Sequence, residues 1–279
     1  MLIRCWGSRG SVPVSGREYL KYGGDTTCLE IRSDNDDLII VDAGTGIRRL
    51  GIELMNQKRF SFDMVFTHAH WDHLMGFPFF APVYDERSEI LIQGCPFARE
   101  FIEKMLGKVM SQPNFPIEYS DLKASFKYIP ECPLSFQAGS IEIMTIPLSH
   151  PNRGNGYKFT EKGKTFVFLT DNELKYQHKG GLGYDDYLGF CKGADLLFHD
   201  AEYTPEEYAS VRQWGHSSYT DALELAIKAG VKGLGLFHLN QKRTDPEVDS
   251  IVEHCNSIIS EKHADLECFA VGMDMVFEL

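Results

Sequence analysis

The sequence predicts a layered α/β fold, and three observations carry that prediction. Short β-like apolar runs alternate with helical stretches along the chain. One of the runs, Ile39-Ile40-Val41, has no polar face, as expected of a strand covered on both sides. Polar residues of chemical interest recur just past the predicted strand ends. Periodicity alone leaves open whether the strands form one doubly wound sheet or two stacked sheets. No internal repeat or low-complexity linker interrupts the pattern, so a single domain over residues 1–279 is expected.

The elements follow in order. Leu2 to Trp6, Cys28 to Arg32 and Leu38 to Val41 read as early strands. Gly44-Thr45-Gly46 breaks the chain, and a helix follows with Ile47, Leu50 and Leu54 on one face. Phe62 to Phe66 is a short strand stopping at Thr67, Ile90 to Ile92 is another, and Phe97 to Leu106 is helical. Residues 112–122 are rich in proline and polar side chains and read as a loop over the site. Strand character returns at Ile141 to Pro147, Gly156 to Phe159, Thr165 to Leu169, Leu196 to Phe198 and Leu234 to Phe237. Between the last two lies a helix from Tyr219 to Ala229, with Ser218 as N-cap and Gly230 as its stop. A last helix runs from Pro246 to Ser260, and Asp274 to Leu279 reads as a strand.

Composition narrows the function. A net charge of −12 argues against a long nucleic-acid groove, which needs a basic surface. It leaves room for a small anionic substrate, because metal cations can reverse the field inside one pocket. The 7 cysteines are scattered and form no Cys-x-x-Cys pair, so free thiols are expected rather than disulfides or a thiolate zinc site. The N-terminus lacks the apolar core of a signal peptide, and no apolar run is long enough to span a bilayer. A cytoplasmic protein without membrane contact is expected.

The histidines are concentrated where the chemistry should be. His68, His70, His73, His150, His216 and His238 all fall where a strand has just ended or a sharp loop begins. The densest run is Thr67-His68-Ala69-His70-Trp71-Asp72-His73. In extended chain, residues two apart point the same way, so His68 and His70 can grip one cation. The chain then turns, and Asp72 and His73 can face a second. Imidazole with carboxylate suits zinc, manganese or iron rather than calcium. One loop cannot fill two coordination spheres. His150, Asp171 and His238, each at the end of an apolar strand, supply the rest.

At this point the chain resembles the metallo-β-lactamase superfamily, whose His-x-His-x-Asp-His run it carries at residues 68–73. More narrowly it is similar to the phosphodiesterase branch, which includes ribonuclease Z and phosphoribosyl cyclic phosphodiesterase. Gly7-Ser8-Arg9-Gly10-Ser11-Val12-Pro13, Asp42-Ala43-Gly44-Thr45-Gly46, His199-Asp200-Ala201 and Gly215-His216-Ser217-Ser218 carry that likeness. The resemblance implies a four-layer αββα sandwich, two mixed sheets with helices on both outer faces. It implies two divalent metal ions, zinc first, with manganese or iron as alternatives. His68, His70 and His150 would hold one, and Asp72, His73 and His238 the other, with Asp171 bridging. It also implies a homodimer.

The reaction expected of such a site is hydrolysis, most specifically of a small cyclic or linear phosphodiester such as a cyclic nucleotide or a cyclic ribose phosphate. A metal-bridging hydroxide is the nucleophile. His216 is the general acid, held by Asp200, and Asp72 is placed with them among the catalytic residues. Ser217 and Ser218, opening a helix, are candidate phosphate contacts. Asp42 and the Gly44–Gly46 turn support the metal loop, Arg9, Asn152 and Arg153 are read as loop polarity, and His178, His254 and His263 as surface.

Two alternatives stand beside this reading. A lactone or thioester hydrolase would use the same metals without the His216–Asp200 pair. A non-hydrolytic di-iron oxygen-binding or sensor protein would favour Glu in place of His70. Two departures from the branch bear on the substrate. Asp25 stands where Asn is usual, and Leu239-Asn240-Gln241 follows His238 where His-Asp-Pro is common.

Overall fold

Leu38-Ile39-Ile40-Val41 is apolar throughout because its two faces meet different layers. In the computed structural model Ile39 and Val41 point to one core while Leu38 and Ile40 point to another. The structure describes residues 1–93, 99–129 and 133–279.

The strands are β1 (Leu2–Gly7), β2 (Cys28–Arg32), β3 (Leu38–Val41), β4 (Ser61–Val65), β5 (Glu89–Ile92), β6 (Ser125–Tyr128), β7 (Ser135–Ala138), β8 (Ile141–Pro147), β9 (Asn155–Glu161), β10 (Lys164–Leu169), β11 (Leu196–Asp200), β12 (Gly233–Phe237), β13 (Glu267–Ala270) and β14 (Val276–Glu278). The helices are α1 (Ile47–Gln57), α2 (Arg99–Val109), α3 (Tyr184–Cys191), α4 (Pro205–Val211), α5 (Tyr219–Ala229) and α6 (Asp245–Glu261). Short 3-10 turns occupy Trp71–His73 and Tyr119–Asp121 among others. The first residues of the helix expected at Phe97 to Leu106 lie outside the described residues.

Two mixed sheets result, ordered β14-β1-β2-β3-β4-β5-β6 and β13-β12-β11-β10-β9-β8-β7. Each is antiparallel in one part and parallel in the other: β3, β4, β5 and β6 run parallel in the first, and β10, β11, β12 and β13 in the second. Three cores hold four layers. Between the sheets lie Ile3, Ile39, Val41, Phe159, Phe166, Phe168, Phe198 and Phe237. Outside the first sheet, α1 and α2 cover Ile40, Met64 and Ile92 with Ile47, Leu50, Ile102 and Leu106. Outside the second, α3, α5 and α6 cover Leu197, Leu234 and Leu236 with Tyr187, Leu223 and Val248. This is the four-layer αββα sandwich.

Parallel pairing puts the C-terminal ends of β3 and β4 at the same end of one sheet, and those of β10, β11 and β12 at the same end of the other. The segments leaving these ends form the site. Helix α5 behaves as its sequence predicts: Ser218 Oγ accepts from Asp221 N, and Gly230, at φ 65°, donates to the carbonyls of the last turn.

One strand carries a carboxylate at a poor position. Asp63 on β4 is largely buried, and burial pushes its carboxyl up to about 6 despite the hydrogen bond from Gln93 Nε2 at 2.6 Å. The folded chain therefore binds this proton more tightly than the unfolded chain does. Stability from this group is greatest at low pH and is lost as pH rises through about 4 to 6. Asp63→Asn keeps an acceptor for Gln93 and removes the charge. It is expected to raise stability by about 1 kcal/mol at pH 7.5, after discounting for partial exposure, and to give no gain at pH 4. Denaturant melts at the two pH values check this.

Candidate metal centre

The cluster is built from strand ends. His68, His70, Asp72 and His73 follow β4, His150 follows β8, Asp171 follows β10 and His238 follows β12. Three residues here hold left-handed backbones: Asp42 at φ 62°, Asp171 at 51° and His238 at 56°. Such conformations are costly outside glycine and concentrate where side chains must be aimed.

Two groups of donors converge, and Asp171 belongs to both. His68, His70, His150 and Asp171 form one, and Asp72, His73, Asp171 and His238 the other, with donor atoms within 4.8 Å of each other in each group. In the first, His150 Nε2 lies 3.0 Å from His70 Nδ1, and His68 Nε2 lies 3.5 Å from Asp171 Oδ2. In the second, His238 Nε2 lies 3.0 Å from Asp72 Oδ2 and 3.3 Å from Asp171 Oδ2, and His73 Nε2 lies 3.4 Å from Asp72 Oδ2.

The residues fit divalent cations. His68 Nε2 and His73 Nε2 are buried and have no hydrogen-bond partner among the described residues, a cost that coordination would remove. Burial pushes His68 and His70 down and His150 to about 3, which keeps these rings neutral and their lone pairs available. In the other group burial opposes charge as well, but Asp72, Asp171 and Asp42 outweigh it and push His73 well up. Asp171, Asp72 and Glu202 do the same to His238. Asp171 and Asp72 are held well below the usual carboxylate range by these histidines, against their own burial. The carboxylates call for positive charge at this spot, and divalent cations would supply it.

The far nitrogen is pinned in four of the five rings, those of His68, His73, His150 and His238. Asp42 Oδ2 lies 2.7 Å from His73 Nδ1 and accepts from Thr67 Oγ1 at 2.7 Å. Thr67 Oγ1 in turn lies 3.1 Å from His68 Nδ1. His150 Nδ1 donates to Gly215 O at 2.9 Å, and Glu202 Oε2 lies 3.1 Å from His238 Nδ1. Gly215 sits at φ 94°, and a Cβ there would fall 2.1 Å from His150 Nδ1. Gly215→Ala is therefore expected to displace this ligand and weaken metal binding by about 10- to 100-fold. Competition with a chromogenic chelator measures this, and unchanged affinity would contradict the role of Gly215.

His216 stands beside the cluster. Its Nδ1 lies 2.5 Å from Asp200 Oδ2 and 3.4 Å from Glu202 Oε2, and its ring stacks on His238 at 4.6 Å. Burial disfavours the charged ring, but Glu202 and Asp200 outweigh it and raise His216 to about 9. Nε2 has no hydrogen-bond partner among the described residues and is the atom left to face a substrate.

Several expectations need correction. Ser217 and Ser218 do not face a substrate. Both are buried; Ser217 Oγ donates to Asn172 O at 2.6 Å and accepts from Leu174 N, while Ser218 Oγ caps α5. Arg9 is no loop decoration: it is buried and donates to the carbonyls of Gly23, Asn240 and Arg243. His178 is mostly covered and pairs with Glu173 at 2.8 Å. Asp25, one of the two departures from the branch, is paired: it accepts from Thr45 Oγ1 at 2.8 Å.

Other residues were missed from sequence. Glu202 holds His238 and is itself held by Asn240 Nδ2 at 3.0 Å, which gives one of the departures after His238 a role. Glu173 accepts from Tyr208 Oη and from the backbone amides of Gln213 and Gly215, fixing the loop that carries Gly215 and His216. The one available sequence signal was nearness: Glu202 lies two residues past Asp200, and Glu173 two past Asp171.

The family model described as "Beta-lactamase superfamily domain" matches residues 38–239, more than half of the chain. Ribonuclease Z of Sulfurisphaera tokodaii is 28% identical over 220 residues, covering 64% of this chain and 70% of that protein. Ribonuclease Z of Picrophilus torridus is 23% identical, covering 98% of this chain and 96% of that one. Among solved structures, the metallo-beta-lactamase fold protein YhfI of Bacillus subtilis has a TM-score of 0.69 at 16% identity, covering 99% of both chains. A diphosphatase from the PhnP family has a TM-score of 0.68 at 16% identity, covering 100% of this chain and 97% of that one. These two structures share the fold with this chain.

Proposed function

Since this chain belongs to the beta-lactamase superfamily, we propose that it is a metal-dependent hydrolase that cleaves a small cyclic or linear phosphodiester. The observation that carries the phosphodiester is the His216–Asp200 pair, 2.5 Å apart and stacked against His238 at the edge of the donor cluster.

His68, His70 and His150 would hold one cation, Asp72, His73 and His238 the other, and Asp171 both, with zinc the first choice and manganese or iron alternatives. When bound, the cations supply an acidified water and draw charge from the phosphoryl oxygens. The chain's own part is proton management and aim. Asp200 and Glu202 keep His216 protonated, and Asp200 fixes its ring through Nδ1. As the water oxygen bonds to phosphorus and the ester P–O bond breaks, His216 Nε2 gives its proton to the departing oxygen. The proton released by the water restores His216, and one water is consumed to give a monoester and an alcohol. Asp42, Thr67 and Gly215 keep the ligand rings from turning.

The relatives named ribonuclease Z favour a second reading, an RNA phosphodiester. The net charge of −12 weighs against a long RNA groove. Among the described residues no helix is long and apolar enough to cross a membrane.

The test is a substrate panel on metal-loaded protein: bis(p-nitrophenyl) phosphate, cyclic nucleotides, a short RNA, a lactone and a thioester. Turnover of the diesters supports the proposal. Turnover of the lactone or thioester alone would replace it with the alternative hydrolase.

A further inference from the structure

Two clefts flank the donor cluster, and their chemistry differs. One, of about 620 Å³, opens against the metal loop and α2. Trp71, which lies between His70 and Asp72 in sequence, forms part of its wall, with Phe79, Phe115 and Met105. Trp71 is 75% exposed and Phe79 59% exposed, unusual for large aromatic rings. Phe115, from the segment expected to lie over the site, meets Phe79 edge to face at 5.6 Å. Lys104 and Lys108, one helical turn apart on α2, also line it, and neither has an ion-pair partner among the described residues. Among the described residues no carboxylate lines this cleft, although the chain carries a net charge of −12.

The other cleft, of about 460 Å³, is polar and is lined by His216, Glu202, Trp214, Asn240 and Arg243. Among the described residues the clefts share no lining residue. A general acid must touch the departing oxygen, so the alcohol leaves on the His216 side. The substituent that stays on phosphorus then takes the aromatic cleft.

We propose that the cleft of Trp71, Phe79, Lys104 and Lys108 binds the retained half of the diester, and that this half is a nucleoside carrying a second phosphate. Exposed aromatic faces stack on a nucleobase whatever its identity. Two ammonium groups with no ion-pair partner among the described residues, in an acidic protein, suit an additional dianion. This rests on the phosphodiesterase reading and adds a substrate class and a direction of cleavage to it.

Three esters with one leaving group test it on the full, metal-loaded chain: methyl p-nitrophenyl phosphate, thymidine 5′-(p-nitrophenyl phosphate), and the latter bearing a 3′-phosphate. The thymidine ester is expected to exceed the methyl ester in kcat/KM by at least about 5-fold, and the 3′-phosphate to add a further gain. Phe79→Ala should remove the first gain. Lys104→Ala with Lys108→Ala should remove the second and leave the methyl ester unchanged. Equal kcat/KM for the methyl and thymidine esters, or gains that survive these substitutions, would overturn the proposal. If no ester is cleaved, the phosphodiesterase reading fails instead. Calorimetry with thymidine 3′,5′-bisphosphate then decides the cleft: binding lost in the lysine double variant supports it, and no binding by the wild type overturns it.

Discussion

Replacing His216 with alanine is expected to slow phosphodiester hydrolysis by about 10²- to 10⁴-fold while the metal content stays at the wild-type level. The ring is the cluster's neighbour rather than a member of either four-donor group containing Asp171. It also stands in a smaller set with Asp200 and His238, so metal content is the control that separates a proton donor from a ligand. A leaving-group series sharpens the test. p-Nitrophenolate departs with little help, so the deficit should sit near the lower end for nitrophenyl esters and widen for alkyl esters. A deficit independent of the leaving group, or lost metal, would remove His216 from the general-acid role.

Asp171→Ala is expected to weaken binding of both cations by at least about 100-fold and to abolish turnover at any accessible metal concentration. It is the one side chain present in both four-donor groups, with Oδ2 3.3 Å from His238 Nε2 and Oδ1 3.2 Å from His73 Nε2. Its removal also takes away charge that keeps His73 and His238 above the usual imidazole range. Metal analysis after dialysis checks the outcome, with far-ultraviolet circular dichroism to show that the sandwich persists. Loss of only one cation would mean that Asp171 does not bridge.

The metal loop was legible because its donors are clustered: four of the seven fall within residues 68–73, and spacing says where they point. His150, Asp171 and His238 were legible because each ends an apolar strand. Strands β2, β3 and β8 and helix α5 matched their sequence patterns residue for residue. The split into two sheets was not legible from periodicity, since Ile39 and Ile40 are both apolar and only the folded chain shows that they serve different cores. Edge strands β6 and β7 and the short helices α3 and α4 have too few buried residues to make a period. Ser217 and Ser218 misled because an exposed and a buried helix start look alike in sequence. Beyond their nearness to Asp171 and Asp200, Glu173 and Glu202 gave no signal, because their partners are backbone amides and rings far along the chain.

The claim that most of this depends on is a two-cation site. Metal-free protein titrated with zinc, with bound metal counted by plasma mass spectrometry and bis(p-nitrophenyl) phosphate turnover followed in the same samples, tests it most directly. Two tightly bound cations per chain are expected, with activity that saturates as the second is filled. A plateau at one cation, or full occupancy without diester turnover under zinc, manganese or iron, would contradict it.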